Sequence, residues 1–481
     1  MLFNSIDFAV FLPIVFALYW LIKNTKAQNV LIVIVSYIFY GWWDWRFLIL
    51  IAFSTLTDFF VGKLLQNETE VFKRKILLAI SIVVNIGMLA FFKYANFFIQ
   101  NFAEVFTLLG KPIHLVTLNI ILPVGISFYT FQTLSYTIDV YRKKIKATQN
   151  IVAFTAFVSF FPQLVAGPIE RAKHLLPQFL NKRTFSYNNA VVGLRQILWG
   201  LFKKVVIADS CAIYADYVFQ NYETMNGSAL VMGAFFFAIQ IYGDFSGYTD
   251  MAIGIARLFG IDLMQNFAFP YFSRDIAEFW RRWHISLTTW FRDYIYIPLG
   301  GSRVGKLKTI RNVFIIFILS GFWHGANWTF IAWGALNALY FLPLLLLNKN
   351  RENIDIVAKN NWFPSIKEVF SMGLTFAITV FAWIFFRANS MKQAYLYISG
   401  IFSHSILLKP NYKDYNTSIW LFFLIVIFMA IEWLGRRDTF AIEKIGLAVK
   451  NVYVRYFIYT ILLLFILWNI SKEQTFIYFQ F

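Results

Sequence analysis

The stretch NVFIIFILSGFWHGANWTFIAWGALNALYF, residues 312–341, decides the fold class of this chain. It is strongly apolar, and a helix of ~20 such residues spans the hydrocarbon core of a bilayer. Similar runs recur through the 481 residues, of which 59% are hydrophobic and only 14% charged. An ordinary soluble domain has roughly 25% charged residues. The composition excludes a water-soluble globule and predicts an all-α, polytopic membrane protein with about 11 spanning helices plus re-entrant or interfacial ones.

The charge balance and the cysteine count exclude several other classes of protein. Lys and Arg number 43 and Asp and Glu 25, which gives a formal net charge of +18. In a membrane protein such an excess collects in cytoplasmic loops, so we expect a bilayer partner and no nucleic acid. The single cysteine, Cys211, excludes a disulfide framework and a thiolate metal cluster. Because bundled helices pack as one unit, we expect a single membrane-embedded domain over residues 1–481.

Basic residues on alternate loops predict the orientation in the membrane. Lys23 and Lys26 lie in one loop and four basic residues lie in the loop 63–75, whereas the loop between them carries only Arg46. The positive-inside rule then places the amino terminus outside. The same rule assigns three further basic loops to the cytoplasm: 141–146, 170–183 and 302–311.

The segment IYGDFSGYTDMAIGIARLFGI, residues 241–261, interrupts an apolar run with polar side chains. Polar groups are costly inside a membrane and usually face an interior cavity. Since Gly243 and Gly247 favour a helix break, we predict a broken helix that lines a cavity, with a short loop between two spans as the alternative. The residues assigned to this lining are Asp244, Ser246, Tyr248 and Asp250.

The segment RDIAEFWRRWHISLTTWFRDYIYIPLGG, residues 274–301, has aromatic residues at helical spacing and predicts one helix along the membrane interface. Glu278 is placed to pair with Arg282 four residues later. The same spacing puts His284 on one face with Trp280, Leu287 and Phe291. By this pattern alone, His284 is either a functional group or a buried structural histidine.

His324 lies within the apolar run quoted first. Counting 12 residues from position 312 at ~1.5 Å per residue places it ~18 Å deep, near the bilayer centre. A histidine there stays neutral and is suited to accept a proton from an alcohol as a general base. The alternatives are a proton relay in a transporter or activation of Ser320 as a nucleophile. We expect no metal site, because no acidic third ligand accompanies the two histidines.

Several separated motifs resemble the membrane-bound O-acyltransferase family, in its branch that O-acetylates bacterial exopolysaccharides such as alginate, or peptidoglycan. They include DFSGYTDMAIG (244–254), FWRRWHISLTTWFRDYIYIPLGG (279–301) and SGFWHGANWTFIAWG (320–334). LPVGISFYTFQTLSYTIDVYR (122–142) and FFPQLVAGPIER (160–171) extend the similarity. The resemblance implies a family-like core over about 1–345, additional helices over about 366–481, and a ring of helices around a central tunnel.

The resemblance also implies the chemistry: His324 as the catalytic residue and His284 as its partner. We expect acetyl transfer from a cytoplasmic thioester, acetyl-CoA, across the bacterial inner membrane to a cell-envelope polysaccharide hydroxyl or a relay protein, with no bound cofactor. The alternatives are D-alanyl transfer to a teichoic acid-like polymer, and a polysaccharide or lipid transporter. Besides the four residues of segment 241–261, those expected to line the tunnel are Trp280, Arg281, Arg282, Trp323 and Asn327.

The predicted orientation is testable by cysteine labelling in a Cys211→Ser background. A cysteine placed in the loop 302–311 should react with an impermeant maleimide only after the membrane is opened, because the loop's positive charge retains it in the cytoplasm. A cysteine near the amino terminus, at Asn4, is the control and should be labelled in intact cells. Labelling of the 302–311 position from outside would contradict the predicted orientation.

Overall fold

The computed structural model describes residues 1–111, 113, 117–118, 120–412, 415–470, 474 and 476–477. Across this part of the chain it contains helices and connecting loops but no β-strand, which confirms the all-α prediction. The α-helices are α1 Ile6–Leu21, α2 Thr25–Asp44, α3 Leu48–Asn67, α4 Val71–Leu89, α5 Ala95–Leu108, α6 Ile126–Tyr141, α7 Ile151–Ser159, α8 Phe161–Leu164, α9 Ala172–Leu180, α10 Tyr187–Leu201, α11 Asp209–Gln220, α12 Gly227–Leu258, α13 Ile276–Arg282, α14 Ile285–Phe291, α15 Lys306–His324, α16 Trp328–Leu346, α17 Ile366–Arg387, α18 Met391–Ile401, α19 Tyr415–Gly435, α20 Ile445–Ala448 and α21 Val452–Asn469. Three short π-helical turns, Ala90–Tyr94, Phe202–Ala208 and Arg292–Tyr296, join some of them.

Seven helical segments among the described residues are long and apolar enough to cross a membrane. The protein is therefore a multi-pass membrane protein, as the composition predicts. The predicted total of 11 spans stays a prediction, because shorter or more polar helices such as α1 and α15 fall outside this set. The seven segments are Thr25–Asn67, Val71–Leu108, Gly227–Leu258, Trp328–Leu346, Ile366–Arg387, Ser418–Gly435 and Val452–Asn469.

The chain divides into two compact units. The first comprises Met1–Ala190 and Ile255–Met264, and the second comprises Val191–Gly254 and Gln265–Phe481. The single cooperative domain expected from the sequence stays a prediction. Both histidines singled out by the sequence, His284 and His324, lie in the second unit.

The first unit buries a carboxylate of α3 within its helices. Asp58 is fully buried and accepts hydrogen bonds from Ser81, from Asn85 Nδ2 at 2.7 Å and from Thr137 Oγ1 at 2.6 Å. An unpartnered polar group costs several kcal/mol in an apolar interior, and these three donors offset that cost. The cluster therefore holds α3, α4 and α6 together.

Helix α12 is continuous over Gly227–Leu258, so both the predicted break and the alternative loop in segment 241–261 are wrong. Its glycines permit close packing against another helix instead of breaking α12. A Cβ on Gly247 would lie 2.7 Å from the main-chain oxygen of Gly200 in α10, and one on Gly254 would lie 2.6 Å from that of Gly193. Small residues at this spacing let two backbones approach, as is common between membrane helices.

Helices α15 and α16 form an antiparallel hairpin that carries His324 at its turn. The long apolar run 311–346 therefore contains two helices, and the chain reverses at residues 325–327. A Cβ on Gly321 would lie 2.2 Å from the main-chain oxygen of Phe330, and one on Gly334 would lie 2.3 Å from that of Phe317. This close contact fixes the position of His324, the last residue of α15.

The packing of α10 against α12 generates a stability prediction. Gly247→Ala should lower the free energy of unfolding by about 1–3 kcal/mol, because the new methyl group has to displace the backbone of α10. Thermal unfolding in detergent measures the change. Gly373→Ala is the matched control, since nothing lies within 4 Å of a Cβ on this helical glycine. It should leave stability unchanged or raise it by about 0.5–1 kcal/mol. Equal stability of Gly247→Ala and the parent would contradict the packing argument.

Candidate active site

His284 lies at a break between α13 and α14, so the single interfacial helix predicted over 274–301 is wrong. The residue has φ 44° and ψ 52°, in the left-handed region that residues other than glycine rarely adopt. Asn266 stabilises the break: its main-chain oxygen accepts from the Ile285 amide at 2.9 Å, and its side-chain Oδ1 accepts from the Ser286 amide at 3.2 Å. Strained backbone held in this way is typical of functional sites.

The His284 imidazole is almost fully enclosed, with 1% of its surface exposed. Its Nδ1 lies 3.1 Å from Asn266 Oδ1, and its ring contacts Phe245 of α12 with centroids 4.7 Å apart. His284 lies outside the seven candidate spanning segments. Burial lowers the pKa of His284 to about 3, because apolar surroundings disfavour the imidazolium. The ring is therefore neutral at physiological pH.

His324 is enclosed by aromatic rings and is 5% exposed. Trp323, Trp333 and Phe386 lie with their ring centroids 4.8, 5.3 and 5.1 Å from that of His324. Phe386 belongs to α17, so a helix beyond the predicted core end at about residue 345 contributes to this site. The depth of His324 in the bilayer stays a prediction.

The two histidines line the same pocket. Their ring centroids are 6.4 Å apart and their planes are tilted by 56°. The pocket has a cavity volume of about 50 Å³. Trp280, Leu287 and Phe291, which the sequence pattern placed with His284, do line it despite the break in the helix. The remaining lining residues are Trp283, Thr288, Ile316, Phe317 and Ser320.

The polar residues of α12 form a separate buried network rather than lining this pocket. Asp250 pairs with Lys203 at 2.5 Å, and Lys203 also donates to Ser246 at 3.0 Å. Asp244 pairs with Lys204 at 2.9 Å. Tyr248 packs its ring on Phe476, with 5.0 Å between the ring centroids. Neither lysine was among the predicted site residues, although two adjacent cations at the end of an apolar run were a visible signal.

Three more of the predicted lining residues bind main-chain groups. Arg281 donates to the carbonyl oxygens of Asn350 and Asn353 at 2.9 and 2.8 Å. Arg282 pairs with Glu278 at 2.8 Å, as the spacing predicted, and donates to Asp355 O. Asn327 caps α16 and donates to the carbonyl oxygen of Asn389, between α17 and α18, at 2.9 Å. These side chains secure loops around the histidine pocket, whereas Trp280 lines it directly and Trp323 packs 6.0 Å from the His284 ring.

Two residues that the sequence analysis did not select contribute to the site. Asn266 binds His284 and stabilises the backbone around it. Trp383 of α17 stacks on Trp333 with centroids 5.6 Å apart, behind the His324 ring. Neither had a local signal, because each lies far in sequence from the histidine that it supports.

Residues 140–386 match the membrane-bound O-acyltransferase family. This chain belongs to the membrane-bound O-acyltransferase family and is an O-acyltransferase, as its motifs predict. That membership favours the enzyme interpretation over a transporter.

Similar proteins place the chain within the family. The Pseudomonas aeruginosa protein named "Probable alginate O-acetylase AlgI" is 38% identical over 445 residues, covering 92% of this chain and 82% of that protein. The Helicobacter pylori peptidoglycan O-acetyltransferase is 36% identical over 433 residues, covering 83% and 80%. The Streptococcus thermophilus teichoic acid D-alanyltransferase is more distant, 27% identical over 304 residues that cover 57% and 68%. Of these three proteins, the two named for O-acetylation are more similar to this chain than the D-alanyltransferase is.

Proposed function

We propose that this protein transfers an acetyl group from a cytoplasmic thioester to a hydroxyl of a cell-envelope polysaccharide across the bacterial inner membrane. The observation that carries the proposal is the pair of buried histidines, 6.4 Å apart between ring centroids, on one pocket. The relatives named for alginate and peptidoglycan O-acetylation support an acetyl group and a glycan acceptor. A periplasmic relay protein is the other acceptor that fits this chemistry.

His324 acts as the general base in this reaction. It takes the proton of the acceptor hydroxyl while the hydroxyl oxygen attacks the thioester carbonyl carbon. The tetrahedral intermediate then collapses, the carbon–sulfur bond breaks, and the thiolate leaves with the proton that His324 took up. The products are the acetyl ester and the free thiol. The aromatic enclosure keeps water away from the thioester and so limits its hydrolysis.

Substitution of His324 tests the general-base assignment. His324→Gln keeps hydrogen bonding but cannot take up a proton at neutral pH, so acetyl transfer should fall by about 10²–10⁴-fold. The readout is mass spectrometry of envelope glycans, with inserted protein quantified in the same membranes. His404→Gln, at an exposed position in a short 3₁₀ turn, is the matched control and should retain full transfer.

Two outcomes would overturn this assignment. Parent-like acetylation by correctly inserted His324→Gln would exclude proton transfer through that ring. Residual transfer in His324→Gln together with complete loss in His284→Ala would move the role of base to His284.

A larger cavity at the opposite end of α15 supports an anionic donor such as acetyl-CoA. It has a volume of about 410 Å³ and lies where the chain enters α15, ~27 Å from His324 by helical rise. Lys306 and Arg351 line it, and it contains no acidic lining residue. Cations and polar groups of this kind bind phosphate. The other lining residues are Ser302, Gly305, Thr309, Ile310, Leu345, Leu346, Asn348 and Asn350.

Removal of both cations tests the donor site. The double variant Lys306→Ala, Arg351→Ala should raise the KM for acetyl-CoA about tenfold with little change in kcat, because charge-assisted contacts to phosphate are lost. The effect should shrink at high salt, where exposed charges are screened. Lys308→Ala removes a nearby charge that does not line the cavity and should leave KM unchanged. An unchanged KM in the double variant would exclude this donor site.

A further inference from the structure

We propose that Asn266 is a positioning residue that holds His284 in the tautomer with hydrogen on Nδ1, so that Nε2 is a hydrogen-bond acceptor during transfer. The inference deepens the proposed function and rests on it. It assigns a role to a residue that no sequence motif selected, and it specifies which part of the reaction His284 can perform.

The hydrogen bonds around Asn266 fix the orientation of its side-chain amide. The backbone N–H of Ser286 lies 3.2 Å from one of the two side-chain heteroatoms of Asn266. A backbone N–H only donates, so that heteroatom has to be the carbonyl oxygen, Oδ1. The Ser286 hydroxyl, 2.9 Å from the same atom, agrees with this assignment.

The amide orientation in turn fixes the proton on His284. An amide oxygen only accepts, and His284 Nδ1 lies 3.1 Å from Asn266 Oδ1. Nδ1 therefore carries the hydrogen. In a neutral imidazole the other nitrogen then has a lone pair and no hydrogen, so Nε2 accepts hydrogen bonds. Asn266 is fully buried, so water does not compete for this bond.

The tautomer decides between two roles for His284. A ring whose Nε2 carries no hydrogen cannot donate a hydrogen bond from that atom to the oxyanion of a tetrahedral intermediate. It can accept a hydrogen bond from the protonated ring of His324, whose centroid is 6.4 Å away. His284 therefore stabilises the His324 imidazolium that forms when His324 takes up the hydroxyl proton. Asn266 corresponds to the third member of a catalytic triad, which selects the tautomer of the histidine next to it.

Other titratable groups near this pair come from α12, α15, α19 and the π-helical turn Phe202–Ala208. His324 faces His284 from α15. Asn266 also lines a small cavity of about 10 Å³ together with Lys203, Asp250, Tyr242 and Glu432. Asp250 already pairs with Lys203, and Tyr242 with Glu432. A change in the charge at residue 266 therefore acts mainly on the protonation of His284, which residue 266 contacts directly.

Two substitutions at position 266 separate positioning from a purely structural role. Asn266→Asp supplies an oxygen that still accepts from Nδ1 and so keeps the tautomer, but its negative charge stabilises the imidazolium. The carboxylate should raise the pKa of His284 from about 3 by several units, so that protonation of His284 abolishes transfer at mildly acidic pH. The acid limb of the kcat/KM profile should then move to higher pH by about one unit or more, with activity preserved above it. Asn266→Ala leaves the tautomer unselected and should lower kcat on the order of 10²-fold.

Ser286→Ala is the matched control, because it removes one donor to Asn266 Oδ1 and leaves the His284 bond in place. It should keep the parent's kcat and pH profile. Each variant is assayed as the full-length protein in proteoliposomes with labelled acetyl-CoA, after folded protein is quantified by size-exclusion chromatography. A purely structural role would lower the folded fraction in both Asn266 variants and move no limb of the pH profile.

The outcome also separates this inference from the proposed function. If folded Asn266→Ala has the parent's kcat, or Asn266→Asp the parent's pH profile, while His324→Gln is inactive, the positioning role is wrong and the proposed function stands. If His324→Gln and the Asn266 variants all transfer acetyl groups like the parent, the proposed function itself is wrong.

Discussion

A polar or charged side chain inside an apolar helical protein has to be paired there, and the second unit depends on this constraint. Lys203 and Lys204 lie next to α10, and their partners Asp244 and Asp250 lie on α12. The pairs form because the backbones of α10 and α12 are so close at Gly247 that a Cβ there would lie 2.7 Å from the main-chain oxygen of Gly200. Removing one partner of such a buried pair leaves a charge that costs about 3–5 kcal/mol.

The same constraint explains why the histidine pocket is suited to proton transfer. Apolar rings surround both His284 and His324, and burial lowers the pKa of His284, so the His284 ring is neutral before the substrate arrives. The histidine pocket and the ion pairs are separate: α12 presents Phe245 to His284, while its carboxylates pair with the lysines. Asn266 contacts both regions, since it binds His284 and lines the small cavity next to Lys203 and Asp250. Its position links the ion pairs to the histidine pocket.

The sequence predicted features that depend on local pattern. It identified the helical membrane class, the family, and the set of Trp280, Leu287 and Phe291 that lines the pocket with His284. It did not predict the break at His284, because that break depends on Asn266, 18 residues earlier in the chain. It also misjudged Gly243 and Gly247: a glycine that breaks a helix and one that permits close packing look alike until the neighbouring helix is known.

The central claim is that the histidine pocket transfers an acetyl group from a donor on one side of the membrane to a glycan hydroxyl. The most direct measurement encloses radiolabelled acetyl-CoA in sealed proteoliposomes of the purified protein and adds an unacetylated alginate or peptidoglycan fragment outside. We expect the label to accumulate as an ester on the external glycan, with one free thiol released inside for each ester formed. Intact acetyl-CoA and an unlabelled glycan, in vesicles whose protein is folded and correctly oriented, would contradict this account.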